Sequence, residues 1–133
     1  MSKIKIDQAD QLTVRDVVHA KLSTVEATAT IADVRAYFAA SPSRRQAFVV
    51  DDGRYVGSLT LAEADAEPDP ERLAAEIAEP GTTIGPDAPA TVGRDLALQT
   101  DARRVPVIDD DGRLIGVVAV TGDLTSFCGT AAA

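Results

Sequence analysis

Apolar residues follow two different spacings along this chain, and the spacings alternate. Val14, Val17 and Val18 fall at the three-to-four-residue interval of a helix face. Leu22 to Val25 is short and β-like. Ile31, Val34, Tyr37 and Phe38 return to helical spacing, with Thr30 placed to cap the helix. Ser41-Pro42-Ser43 ends it, because proline disfavours helical geometry in the residue before it. Ala47 to Val50 and Arg54 to Leu59 then read as two strands. Asp51-Asp52-Gly53 between them marks a hairpin, since glycine tolerates the positive φ of a tight turn. A helix follows from Thr60.

The same order recurs. Ala66-Glu67-Pro68-Asp69-Pro70 reads as a linker, and Asp69-Pro70-Glu71 as a helix start. A helix is predicted over Leu73 to Ala78, a short strand near Thr82 to Ile84, a turn at Gly85 to Pro89 and a helix from Val92 to Leu98. Val105–Ile108 and Leu114–Val118 form a second hairpin through Asp109-Asp110-Asp111-Gly112, and a last helix is predicted near Thr121.

The recurrence reaches individual residues. Phe48-Val49-Val50-Asp51-Asp52-Gly53-Arg54-Tyr55-Val56-Gly57 is echoed by Val107-Ile108-Asp109-Asp110-Asp111-Gly112-Arg113-Leu114-Ile115-Gly116, 59 positions on. Arg44-Arg45 returns as Arg103-Arg104, and Val14 and Val18 as Leu73 and Ile77, at the same offset. Thr30-Ile31 pairs with Thr91-Val92 at 61, so the first copy is expected to carry a loop two residues longer around Ser41-Pro42. An internal repeat implies duplicated units. The expected division is an arm over 1–12, loosely docked, repeats over 13–67 and 68–127, and a frayed tail over 128–133. Units of about 60 residues are marginal alone, so a shared core is expected.

Composition narrows the function classes. The 133 residues carry a formal net charge of −8, which disfavours nucleic acid and anionic lipid as partners. No apolar run is long enough to span a membrane. Residues 1–7 lack the apolar centre of a signal peptide, and Cys128 has no second cysteine to pair with. A cytoplasmic location is expected. His19 is the sole histidine, which leaves neither a Ser-His-Asp set with a choice of base nor a His/Cys metal cluster; no phosphate-binding glycine-rich loop is present. The chain does not read as an enzyme, and no cofactor is expected.

The doubled hairpin, most complete as Val105-Pro106-Val107-Ile108-Asp109-Asp110-Asp111-Gly112-Arg113-Leu114-Ile115-Gly116, resembles the tandem CBS-domain pair, or Bateman module. The resemblance covers about residues 13–127. It implies an α/β fold of two repeats related by a pseudo-two-fold axis, with two short sheets packed together and flanked by helices. It also implies a regulatory module that takes an adenosine-containing ligand, AMP, ADP, ATP or S-adenosylmethionine, in a cleft between the repeats. A homodimer is expected through the apolar helices carrying Val14, Val17, Val18, Leu73 and Ile77. The alternative is a ligand-free pair acting in dimerisation or docking of a protein partner.

Members of the family hold ribose and phosphate with a hydroxyl and an acid after the hairpin glycine. The first copy offers Thr60 and Glu63, where the family has Asp. The second has Ala119 and Gly122 in those places, with Thr121 and Asp123 displaced along the chain. Thr60-Leu61-Ala62-Glu63 reads equally as a capping box, and Thr121-Gly122-Asp123 as an N-cap with an acid in the first turn. Thr24, Val25, Thr83 and Ile84 fall on the strand the family turns toward adenine, or are plain sheet core. Arg44, Arg45, Arg103 and Arg104 suit phosphate oxygens, or pair with surface acids.

Overall fold

The structure is a computed structural model that describes residues 3–20, 23–42, 44, 46–100 and 102–131. It is mixed α/β, with short sheets flanked by helices, and divides into two compact units. Ser23–Gly81 forms a continuous unit; Met1–Leu22 joins Thr82–Ala133 in a split unit.

In the continuous unit, β2 (Val25–Glu26) runs parallel to β3 (Ala47–Asp51), and β3 pairs antiparallel with β4 (Arg54–Leu59). Asp52 and Gly53, at φ 53° and 83°, make the two-residue turn of opposite hand that matches strand twist. The outer edge of β4 is covered where Ser58 and Glu79 exchange backbone hydrogen bonds of 2.9 and 3.2 Å. Helix α2 (Ile31–Ala39) starts at Thr30, whose hydroxyl accepts from the Asp33 amide at 3.2 Å while the Asp33 carboxylate accepts from the Thr30 amide at 3.0 Å. Its inner face, Ile31, Val34 and Phe38, packs with Val25, Ala47, Val49 and Leu59. Helix α3 (Leu61–Ala66) and helix α4 (Ala74–Ile77) close that core through the fully buried Ala64 and Ala74.

In the split unit, β5 (Arg104–Ile108) pairs antiparallel with β6 (Leu114–Ala119). Helix α1 (Val14–Val17) and helix α5 (Ala90–Leu98) pack on the hairpin, and Gly93 lets α5 approach: a Cβ there would lie 3.2 Å from both Val14 and Val118 side-chain carbons. His19 pairs with Val117 on the edge of β6, as Glu79 does with Ser58. The leading helix of each sequence repeat therefore packs on the hairpin of the other repeat. The compact units and the sequence repeats are different divisions of the chain.

Several sequence expectations change. Residues 3–12 are not a loose arm: β1 (Lys3–Lys5) pairs with β7 (Ser126–Ala131), a 3-10 turn covers Ile6–Gln8, and Ala9 is fully buried. The helix predicted near Thr121 is instead a turn, with Leu124 at φ 62°, leading into β7. The tail is thus a strand to Ala131, and Ala132 and Ala133 lie outside the described residues. Leu22 also lies outside them. Asp69 does not start a helix; its carboxylate accepts from the Glu71 amide in a local turn, and α4 begins at Ala74. The linker is an ordered loop, tied by Arg72 to Glu67 at 3.1 Å. Near Thr82 to Ile84 only Ile84 pairs, in an isolated parallel bridge to Val107.

The repeat offset is also corrected. Helices α2 and α5 correspond at 59, Ile31, Val34 and Phe38 matching Ala90, Gly93 and Ala97 on the buried faces, so Thr30 corresponds to Pro89, and the connection from α2 to β3 is longer than that from α5 to β5 by one residue, not two. Helices α1 and α4 correspond at 60, Val14 with Ala74. In β3 and β5 the offset falls to 58, because Ala47 faces Leu59 where Val105 faces Val118. The second turn carries one more residue than the first. Gln46 therefore corresponds to Arg104, and Arg44 to Ala102.

Candidate functional site

The expected site residues of the continuous unit form two groups. Thr60 caps α3, and the box is reciprocal: its hydroxyl accepts from the Glu63 amide at 3.2 Å, and the Glu63 carboxylate accepts from the Thr60 amide at 2.9 Å and hydroxyl at 3.1 Å. Glu63 is exposed and turned back on the backbone. The pairing of Ala47 with Leu59 sets Gln46 opposite Thr60 at the open end of the hairpin. The Gln46 amide nitrogen reaches the Ser58 hydroxyl at 3.5 Å, while its oxygen is buried without a partner. A buried acceptor left unpaired is costly, which marks this spot as chemically unfinished.

The second group surrounds Tyr37. The Arg44 guanidinium lies 4.0 Å over the Tyr37 ring and donates to the Tyr37 carbonyl. The Tyr37 hydroxyl and the Ser23 hydroxyl are 2.9 Å apart, and the former also donates to the Ser23 carbonyl at 3.2 Å. This ties Arg44 to the segment carrying the exposed Thr24. Val25 points into the core, so only its backbone is available to a ligand. Arg45 lies outside the described residues.

In the split unit the second motif is built differently. Asp123 Oδ1 accepts from the Thr121 hydroxyl at 2.6 Å and from the Thr125 hydroxyl and amide at 2.8 and 3.2 Å. Those bonds, Thr121's foremost, with help from the charge of Lys5, hold its carboxyl down at about 2. The Thr121 hydroxyl in turn accepts from the Ser126 amide at 3.2 Å. Ile84 is core, like Val25, and Thr83 is half-buried beside it. Arg104 donates to the Ala102 carbonyl at 3.2 Å. Arg103, at φ 56°, has a buried Nε without a partner, and its guanidinium lies against Gly122.

The sequence reading missed Gln46 and two arginines that hold these elements. Arg35 donates to the carbonyls of Ala64 and Glu67 at 3.0 and 2.6 Å, gripping the end of α3. Arg94, 59 positions on, donates to the Ile6 carbonyl at 3.1 Å. Their shared offset was the available signal. Tyr55, whose hydroxyl donates to the Pro80 carbonyl at 3.1 Å, has its pKa pushed up by burial, against a lowering hydrogen bond with Ser58. Among the described residues no group of three or more His, Cys, Asp or Glu is placed to hold a metal, and no helix is long and apolar enough to cross a membrane.

The CBS-domain family model matches residues 14–64 and again 74–121, which together span most of the chain. The chain belongs to the CBS-domain family. It is a CBS pair, the regulatory module that its doubled hairpin resembles. Among solved structures it is similar to the CBS-pair protein CBSX2 from Arabidopsis thaliana, with 20% identity over 80% of this chain and 87% of that one and a TM-score of 0.70. The AMP complex of CBSX2 is similar at 19% identity, 80% and 89% coverage and a TM-score of 0.66. The cytosolic domain of the Mg2+ channel MgtE in complex with ATP matches at 26% identity, over 77% of this chain but 44% of that one, with a TM-score of 0.65. No curated protein matches the chain.

Proposed function

We propose that this CBS pair is a sensor of an adenosine-containing ligand and that its continuous unit is the better binding side. The reading is carried by the open end of the first hairpin. There Thr60 keeps the family's hydroxyl position, opposite the unpaired Gln46 oxygen. Glu63 supplies an acid one methylene longer than the family's Asp, Thr24 and the Val25 backbone supply the adenine side, and Arg44 supplies positive charge. In the split unit Thr83, the Ile84 backbone, Arg103 and Arg104 are the candidate contacts, though Arg104 stands where the continuous unit has Gln46, and Thr121 and Asp123 are already committed to each other. Nucleotide complexes of two similar structures support the ligand class.

A thermal-shift panel of AMP, ADP, ATP, S-adenosylmethionine and NADH tests the reading, because a ligand bound only by the folded state raises apparent stability. One or more adenosine compounds are expected to raise Tm. A flat panel favours the second reading, a homodimerising or partner-docking module. That reading has its own support in the exposed Leu61, Leu73, Val92, Leu98 and Leu124. Val14 and Val17, expected at such a surface, are fully buried instead. Light scattering at high protein concentration reads the association directly.

A further inference from the structure

The two units solve one packing problem with different pieces of chain. In the continuous unit, Arg35 on α2 grips the carbonyls of Ala64 and Glu67, and the fully buried Ala64 seats α3 on the core. In the split unit no helix follows the second hairpin among the described residues. The equivalent arginine, Arg94, grips the Ile6 carbonyl, and the fully buried Ala9 is seated on that unit's core. The N-terminal segment thus takes the role of α3. It also reaches the second motif: the Ile6 amide donates to the Thr125 carbonyl at 3.0 Å, and Lys5 pairs with Ser126.

We propose that residues 3–9 are a strap that replaces the missing helix and, while docked, holds the Thr121–Ser126 turn closed, withholding Thr121 and Asp123 from a ligand. The turn has the form such a strap would preserve. Asp123 accepts three hydrogen bonds from Thr121 and Thr125, the Thr121 hydroxyl is taken by the Ser126 amide, and the Leu124 amide donates to the Thr121 carbonyl at 2.9 Å. Strap and turn share backbone hydrogen bonds, so loosening one exposes the other's amides. The withholding half of the proposal rests on the ligand-sensing reading above; the strap half does not.

Ile6→Pro isolates the link. Ile6 is the first residue of its 3-10 turn, a position that accepts proline, and Lys5 at φ −72° and ψ 146° already has the geometry proline favours in its predecessor. The substitution deletes the hydrogen bond to Thr125. Ile6→Ala is the control, since it trims the side chain and keeps the N–H. Hydrogen exchange is followed at the Leu124 and Ser126 amides and, in the other unit, at Glu63 and Ala64. Ile6→Pro is expected to speed exchange at Leu124 and Ser126 several-fold beyond Ile6→Ala, with Glu63 and Ala64 unchanged, and Arg94→Gln to act in the same direction. Equal exchange in the two Ile6 variants, or an equal rise at Glu63 and Ala64, overturns the strap. Calorimetry with AMP on parent and Ile6→Pro is expected to show a higher stoichiometry in the variant. An unchanged stoichiometry beside a loosened turn overturns the withholding. Absence of AMP heat in both proteins overturns the withholding together with the ligand reading, and the exchange rates still decide the strap.

Discussion

A Cβ built on Gly57 would sit 2.7 Å from the carbonyl carbon of Glu79, closer than real Cβ contacts come. Gly116 stands in the same relation to the chain at His19, with 2.7 Å to its carbonyl oxygen and 2.5 Å to a Val18 methyl. Both glycines close the hairpin motif in sequence, and the motif is usually read for its turn. Their structural requirement is elsewhere: each lies beneath the strand-like segment that follows the other repeat's leading helix. Gly57→Ala pushes on backbone rather than on a side chain that can swing away. It is expected to cost about 1–3 kcal/mol, as overpacked sites do, and Gly116→Ala a similar amount. Chemical denaturation of both variants checks this. Parent-like midpoints would show that the crossing segments yield freely.

The turn glycines fail for a different reason. Gly53 and Gly112 lie at φ 83° and 81°, and a Cβ on Gly112 meets nothing within 4 Å. Valine is strained by its own backbone at both turns, and at Gly112 it meets no neighbour that could add crowding. Gly53→Val and Gly112→Val are each expected to cost about 1–3 kcal/mol. Asparagine, which tolerates positive φ, is expected to recover much of the loss, and the same substitution at Gly57 is not. Comparing valine with asparagine at the three positions separates strain from crowding.

The duplication, both hairpins and the capped helix α2 were legible because each has a local cause: a glycine turn, an N-cap, a period of apolar residues. The Thr60–Glu63 box was legible for the same reason. The final strand was not. Thr121-Gly122-Asp123 has the composition of a helix cap but forms the turn into β7, a strand made by pairing with Lys3–Lys5, more than a hundred residues upstream, and by the bridge of Phe127 to Val120. The same distance hid the N-terminal segment, whose four apolar residues Ile4, Ile6, Ala9 and Leu12 look aperiodic until Arg94 and β7 receive them. The arginine pairs misled in another way. Arg44-Arg45 and Arg103-Arg104 align perfectly in sequence, but the longer second turn shifts β5 by one residue, and Gln46 takes the place matching Arg104. The unpaired Gln46 oxygen is a consequence of register and carries no sequence signature.

Asp123 gives a test by pH. Its carboxyl is lowered from 3.8 to about 2 by Thr121, then by Thr125. A depressed folded-state pKa means the unfolded chain binds the proton first as pH falls. The contribution of Asp123 is therefore complete above about pH 4 and lost as pH drops through about 2. Asp123→Asn is expected to flatten the part of the stability profile between those values and leave the profile above pH 5 parallel to the parent's. The carboxylate is fully exposed, so the effect is small and shrinks with added salt. A variant that tracks the parent through acid would show that the three hydrogen bonds to Asp123 do not persist in solution.

Thr60 caps α3 and is the hydroxyl proposed to meet the ligand, and one substitution series separates the cap from the proposed role. Its hydroxyl accepts from the Glu63 amide and lies 3.1 Å from the carboxylate. Thr60→Ala removes the cap and is expected to cost about 0.5–2 kcal/mol of stability. Thr60→Ser keeps the cap and is expected to stay near the parent. If the same hydroxyl meets a ribose or phosphate, Thr60→Ala also weakens AMP binding several-fold, since a lost hydrogen bond typically costs about 0.5–1.5 kcal/mol and more with a charged partner. Glu63→Gln decides between cap and ligand. Its amide oxygen still accepts from the Thr60 N–H, so stability changes little, but the charge that would meet ribose hydroxyls is gone. A binding loss in Glu63→Gln without a matching stability loss assigns Glu63 to the ligand; parallel losses assign it to the cap. Ala119→Thr supplies the missing hydroxyl in the split unit, opposite Arg104. It is expected to raise affinity there only when the Thr121–Ser126 turn has been loosened. Calorimetry on these variants, read beside their denaturation midpoints, settles which unit binds. Parent-like binding by Thr60→Ala together with loss of binding in Thr121→Ala or Asp123→Ala would move the site to the split unit.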